Sequence, residues 1–322
     1  MKLHLLKMNN IPYLGMGFFM LSSCTKEVQV AFPEHEPQLV VNSLFSPYNT
    51  ISIALGKSKA ILDDSEQLPI KDAQILLYEN NTKIDSLVWQ EETQTFTSNY
   101  TAVEGKSYSF ALNHNNILLQ ARDHIPALPV IENSFYKDSI YIGDVGDYAG
   151  YFSQLSFTII DDPNVENFYE LVLYFVDKNC PWFGTEDEDF CYSISIPDTL
   201  NNDPVILSST LIDNYYTNTL LFDDNLFNGD TYDLKFNFVT PSSFFIEEST
   251  PSDLHYVLKF RKVSKHYYLF KNNFFTHLNN QESDLWDGTG EPISVYSNIS
   301  NGLGIFAGYN EVIDTIQKQL PQ

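Results

Sequence analysis

The chain has 322 residues, with 18 Lys and Arg against 42 Asp and Glu, a formal charge of −24. That balance argues against a nucleic-acid binder, which needs clustered cations to neutralise phosphates, and against docking on anionic lipid through a basic patch. With 43% apolar and 15% aromatic residues the chain is not disordered by composition and has material for one large or two ordinary domains.

Lys2 and Lys7 make a short basic start, and no acid precedes Glu27. The apolar run from Ile11 to Leu21 is too short to span a bilayer as a helix. It ends in Leu21-Ser22-Ser23-Cys24. Basic start, short apolar core and small residues describe a secretory signal over residues 1–23. The Leu-Ser-Ser-Cys ending resembles a lipobox, in which the Cys24 thiol takes a diacylglycerol and becomes the mature N-terminus. Lipid is then the expected membrane anchor, because no later segment approaches 18 apolar residues. Removing the signal leaves 16 Lys and Arg against 42 acids, a charge of −26.

Residues 24–37 read as a polar tether carrying Pro33 and Pro37. Its start, Thr25-Lys26-Glu27, partly resembles the Lys-then-acidic signals that send such lipoproteins to the cell surface. Short strands follow over 38–126. Leu39–Phe45 and Ile51–Leu55 flank the turn Ser46-Pro47-Tyr48-Asn49, and Asp72–Tyr78 turns at Asn80-Asn81 into Ile84–Val88. Tyr108, Phe110 and Leu112 alternate with small or polar residues, the period of a half-buried strand, and His114-Asn115-Asn116 turns into Ile117-Leu118-Leu119. This spacing predicts a β-sandwich of immunoglobulin or transthyretin type.

Pro126 and Pro129 mark a boundary, and 127–322 is expected to form a second β-rich domain carrying one amphipathic helix. Tyr151–Ile159 turns at Asp161-Asp162-Pro163-Asn164 and returns through Phe168–Phe175; Tyr232–Val239 is another strand. Ser264 is the expected N-cap of the helix, with Tyr267, Phe270, Phe274 and Leu278 as one apolar stripe. Between the strands lie Cys180 and Cys191, 11 positions apart. In an oxidising compartment an isolated close pair reads as a disulfide, two free thiols being the alternative. Closing such a loop contributes about 3 kcal/mol in the chain-entropy model.

That loop carries Trp182 and Phe183 beside Glu186-Asp187-Glu188-Asp189. The aromatics suit a contact patch for a ligand or partner. Four carboxylates attract Ca²⁺, but adjacent residues rarely all face one ion, so a solvated tip is the better reading and no cofactor is expected. Asp223, Asp224, Asn225, Asn228 and Asp230 fail the EF-hand template, because Phe227 or Leu226 falls where an oxygen ligand is needed. No His-Glu-x-x-His or Gly-x-Ser-x-Gly occurs, and His266 and His277 stand three helical turns apart, too far to share a metal. Asn301-Gly302-Leu303-Gly304 lacks the Lys of a phosphate loop and the third Gly of a dinucleotide site. Its glycines suit positive φ or close backbone approach, with Ile305 and Phe306 entering the core.

Several segments together resemble a family of Bacteroidota lipoproteins known as domain of unknown function 4249. Leu39-Val40-Val41-Asn42-Ser43 with Ile51–Leu55 is similar to its first strand pair, and Phe222–Gly229 to its Asp-x-x-Phe-x-Gly segment. The helix from Ser264 matches in position. The closest likeness lies in Glu291-Pro292-Ile293-Ser294-Val295-Tyr296-Ser297-Asn298-Ile299 followed by Asn301-Gly302-Leu303-Gly304-Ile305-Phe306, which resembles the family's C-terminal hallmark. One departure is Asp284-Leu285-Trp286-Asp287-Gly288, where the family often has Asp-Pro-Phe. The resemblance implies an anchored, non-catalytic outer-membrane protein, and the Lys-then-acidic tether favours the surface over the periplasmic face. It also implies an accessory role in ligand capture beside a TonB-dependent receptor. A structural or adhesive lipoprotein is the alternative. A carbohydrate-active enzyme is a third class, needing paired carboxylates that only space brings together.

Overall fold

The computed structural model describes residues 35–60, 63–145, 148–177, 192–213, 218–239, 254–283 and 293–317. The first part contains β1 (Leu39–Phe45), β2 (Thr50–Lys57), β3 (Gln74–Glu79), β4 (Thr82–Ser86), β5 (Val88–Gln90), β6 (Thr95–Thr101), β7 (Ser107–His114) and β8 (Ile117–His124). Alternation writes these strands. Leu39, Val41 and Phe45 of β1, Ile51, Ile53 and Leu55 of β2, and Tyr108, Phe110 and Leu112 of β7 are buried, so each strand offers one apolar face. Asn80-Asn81 and Asn115-Asn116 hold positive φ between β3 and β4 and between β7 and β8. Two-residue hairpins of type I′ need that conformation, which Asn tolerates well.

Next come β9 (Val130–Val145), β10 (Tyr148–Ile160), β11 (Phe168–Asp177), β12 (Tyr192–Ser193), a 3-10 turn (Asp198–Leu200), α1 (Pro204–Ser208), β13 (Thr210–Asp213) and β14 (Asn218–Asp223). The described chain ends with β15 (Thr231–Phe238), β16 (Leu254–Val263), α2 (Lys265–Ser283) and β17 (Leu303–Gln317). The protein is mainly β. Its largest sheet has the order β13-β14-β11-β16-β17-β1-β2-β6-β5, with β12 also on β11; the smaller sheets are β4-β3-β7-β8 and β15-β10-β9. β17 joins the two halves of the large sheet. Its residues 303–308 pair in parallel with β1, and 309–317 pair antiparallel with β16. One ladder therefore runs across position 126, and residues 37–322 form one compact unit.

Two cores lie on the same face of the large sheet. In the first, Val41, Phe45 and Ile53 pack on Ile75, Leu77, Phe110 and Leu119 of the four-stranded sheet. In the second, Tyr169, Leu171 and Phe175 of β11 and Leu258 and Phe260 of β16 meet Phe157 of β10 and Phe236 of β15. β17 gives Phe306 to the first core, while Val312 and Ile316 pack on the second; all three share one parity and hence one face. Its other face turns Ile305, Ala307 and Tyr309 toward Tyr267 of α2, together with Phe168 and Val263. Two small sheets thus back one side of the large sheet in a sandwich-like packing, and α2 covers the middle of the other.

Two expectations change. β10 and β11 do not form the expected hairpin: β10 pairs with β9 and β15, and β11 with β16, β14 and β12. The turn at Asp161-Asp162-Pro163-Asn164 instead carries the chain from a small sheet to the large one. Alternation fixes which face a strand buries, not which neighbour it takes. The helix also divides its apolar residues. Tyr267 and Phe275 are buried at 1% and 5% exposure, whereas Phe274 is 37% exposed. The sheet-facing set is Tyr267, Lys271, Phe275 and Leu278; Phe270, Phe274 and His277 point along a second, adjoining face, about 90° away, with Phe270 also packing against the Tyr267 cluster.

Candidate functional site

That second face of α2 overlooks the outer side of β1. Leu39, Val41 and Phe45 point into the core, so Val40, Asn42 and Leu44 point outward. In the parallel register Val40 stands beside Leu303 and Asn42 beside Ile305. These side chains floor a cleft of about 730 Å³, walled by Phe270 and Phe274 of α2 and by Ile293, Val295 and Tyr296 of the following segment. The Phe270 and Phe274 rings lie parallel, 5.8 Å apart. Leu44, Leu303 and Phe274 are 42%, 39% and 37% exposed, so the apolar lining is open to a ligand. Concave, largely apolar sites of this size are where small molecules bind.

Three devices hold the walls. Ser264 caps α2: its Oγ accepts from the Tyr267 amide at 3.2 Å and donates to the buried Asp123 carboxylate. Asp123, at the end of β8, also accepts from the Gly308 amide at 3.0 Å, so β8, β17 and the helix start meet at one carboxylate. The second device lies beneath the helix, where Glu170 of β11, 1% exposed, accepts from Arg261 Nη1 at 2.8 Å and Tyr267 Oη at 2.7 Å. Lys271 Nζ stands 3.5 Å from its other oxygen, and Arg261 Nε also reaches Glu311 at 2.8 Å. Third, Tyr296 Oη and His266 Nδ1 share a hydrogen bond of 2.5 Å, with the two rings stacked at 5.9 Å. Burial raises the Tyr296 phenol, and Asp123 adds to that rise, so Tyr296 keeps its proton.

The segment leading into β17 is stitched down residue by residue. Asn298 behaves as a piece of strand: its Nδ2 donates to the Phe306 carbonyl at 2.8 Å, and its Oδ1 accepts from the Phe306 amide at 3.0 Å. Ser297 Oγ accepts from the Ile299 amide at 3.2 Å. Asn301, at φ 60°, donates to the Leu118 carbonyl. Gly302 then passes against the Leu119 side chain and the Leu39 carbonyl, and Gly304 against backbone; a Cβ on Gly304 would stand 2.0 Å from the Val41 carbonyl oxygen. Phe306 is fully buried, 4.6 Å from the Phe45 ring and 5.1 Å from Phe110.

Of the residues singled out from the sequence, Tyr296, Ser297 and Gly304 line the cleft, while Asn298, Gly302 and Phe306 fix the strand beneath it. Cys24, Cys180, Trp182, Phe183, Glu186, Asp187, Glu188, Asp189, Cys191, Glu291 and Pro292 lie outside the described residues. Phe270, Phe274, Leu44 and Val40 were not singled out as a site. Their signal was present: α2 has more large apolar residues than one stripe needs, and Leu44 falls on the outward parity of β1. Asp223 to Asp230 form a turn, with the Phe227 amide donating to the Asp224 carbonyl at 2.8 Å. Among the described residues no group of three His, Cys, Asp or Glu is placed to hold a metal ion. None of their helices is long and apolar enough to cross a membrane.

No curated protein matches the chain. A family model does, over residues 25–314, which includes both walls and the floor of the cleft. The protein belongs to the family described as domain of unknown function 4249.

Proposed function

We propose that the protein is a lipid-anchored outer-membrane protein, displayed at the surface, that binds a ligand through the α2–β1 cleft as a non-catalytic accessory subunit beside a TonB-dependent receptor. The observation that carries the binding role is the cleft itself. It places exposed apolar side chains in a recess of about 730 Å³ built on the segment 293–305. The address is supported by the basic start, the short apolar run and the Leu21-Ser22-Ser23-Cys24 ending. The −26 charge of the mature chain disfavours contact with anionic headgroups, so attachment falls to lipid on Cys24.

Affinity capture through the lipidated protein, from detergent-solubilised outer membrane, is expected to recover a large β-barrel receptor. Cys24→Ser is expected to move the protein into the soluble fraction and abolish that recovery. No receptor in several detergents, with attachment or envelope integrity changed in a deletion strain, would favour the adhesive role instead.

The same compartment oxidises thiols, and Cys180 and Cys191 are proposed to pair across the acidic loop. Peptide mass spectrometry of exported protein is expected to show the two joined; alkylation of both without reductant would reject the pairing.

A further inference from the structure

We infer that the cleft takes an uncharged alkyl or acyl chain, laid along β1 between α2 and the 293–297 segment. This rests on the cleft being the binding site of the function proposed above.

Charge gives the first argument. Charged residues make up 19% of the chain, yet no Asp, Glu, Lys or Arg is among the described residues lining the cleft. Among those residues a cationic ligand finds no carboxylate and an anionic ligand no Lys or Arg, so a charged group would lose hydration without an ion pair to offset the loss.

Backbone pairing gives the second. β1 is bonded on both edges, to β17 and to β2, so no extended peptide can add to it as a strand. The floor therefore cannot hold a ligand by strand addition.

Shape gives the third. From Val40 through Asn42 to Leu44 the floor runs four residues along a strand, roughly 13 Å at about 3.3 Å per residue. Val40, Leu44, Val295, Leu303 and Ile305 supply branched aliphatic contact along this length, and the stacked Phe270 and Phe274 supply one aromatic wall. The Tyr296 ring on the other wall is already stacked on His266, and the floor between is made of aliphatic branches, which suit a flexible methylene chain.

The test uses the whole exported chain with Cys24→Ser, which removes the need for detergent. N-phenyl-1-naphthylamine, an uncharged fluorophore, is titrated first and then displaced by the straight-chain alcohols from 1-hexanol to 1-decanol. Saturable binding at one site is expected, with the dissociation constant falling about fourfold per added methylene, the equivalent of roughly 0.8 kcal/mol. Leu44→Glu and Phe274→Glu, both at exposed positions, are each expected to weaken binding at least tenfold with little change in melting temperature. Ile313→Glu, 53% exposed on the far part of β17, is expected to leave binding unchanged. Absence of saturable binding, or binding indifferent to chain length and to both cleft substitutions, overturns the inference. Should Phe274→Glu in the lipidated protein abolish receptor capture while no alcohol binds the Cys24→Ser chain, the cleft is a protein interface: the chain ligand is rejected and the accessory role stands. Alcohol binding to the Cys24→Ser chain, with no receptor recovered by the lipidated protein, rejects the accessory role and leaves the ligand class standing.

Discussion

Gly304→Ala is expected to prevent stable folding. Gly304 sits at φ +107°, a region that side chains rarely adopt, and an added Cβ would meet the Val41 oxygen at 2.0 Å, its carbonyl carbon at 2.8 Å and its nitrogen at 3.0 Å. All three are backbone atoms of the paired neighbour in β1, so no side chain can swing aside. Relief requires β1 and β17 to separate, and that pairing joins the two halves of the large sheet. The cost should exceed about 4 kcal/mol, in the range reserved for backbone strain combined with lost packing. Gly105 is the control. It too holds positive φ, +72°, but a Cβ there meets nothing within 4 Å. Gly105→Ala should cost only about 1 kcal/mol, the left-handed penalty alone. Urea unfolding followed by circular dichroism separates the two: a Gly304→Ala midpoint equal to that of Gly105→Ala would refute the steric account.

Sequence patterning carried the β class and the hairpins closed by paired asparagines, because those depend on residues within a few positions of one another. Asn80-Asn81 and Asn115-Asn116 state their own φ preference, and flanking alternation states which face is buried. The parallel partnership of β1 with β17 has no such signal. It joins Val40 to Leu303 across nearly the whole chain, and nothing local to either strand specifies the other. The same limit explains the β10–β11 correction: both strands were visible, and their partners were set by how two sheets stack. The cleft needed both kinds of information. Phe270 and Phe274 were legible as helix residues, but calling them one stripe with Tyr267 hid the second apolar face. Glu170 was a missed clue as well. A lone carboxylate in Phe168-Tyr169-Glu170-Leu171-Val172-Leu173 sits among buried neighbours, where charge survives only with partners.

Glu170→Gln is expected to destabilise the protein by about 3 kcal/mol near neutral pH, and the difference should vanish in acid. Burial alone would lift the Glu170 carboxyl above its ordinary value of 4.5, but Lys271 and Arg261 outweigh burial and hold it down to about 2. A carboxyl depressed in the folded state stabilises fully above its unfolded value and loses that contribution as pH falls through its folded value. The contribution is therefore complete above about pH 4.5 and is lost between there and pH 2. Such a shift corresponds to about 3 kcal/mol at roughly 1.4 kcal/mol per unit, which agrees with the usual cost of about 3–5 kcal/mol for removing one partner of a buried ion pair. Glutamine keeps the size and one acceptor but leaves Lys271 without its 3.5 Å counter-ion, while Arg261 retains Glu311. Urea midpoints measured from pH 7 to pH 2.5 should show the two proteins converging; a gap constant with pH would mean that packing rather than charge carries the effect. The loss should also reach the cleft. Tyr267 and Lys271 are the helix residues that grip Glu170, and Phe270 and Phe274 hang on the adjoining face of the same helix. Loosening the grip lets the aromatic wall move against β1, so fluorophore affinity should fall in Glu170→Gln even under conditions where the protein stays folded, without any lining residue having been changed.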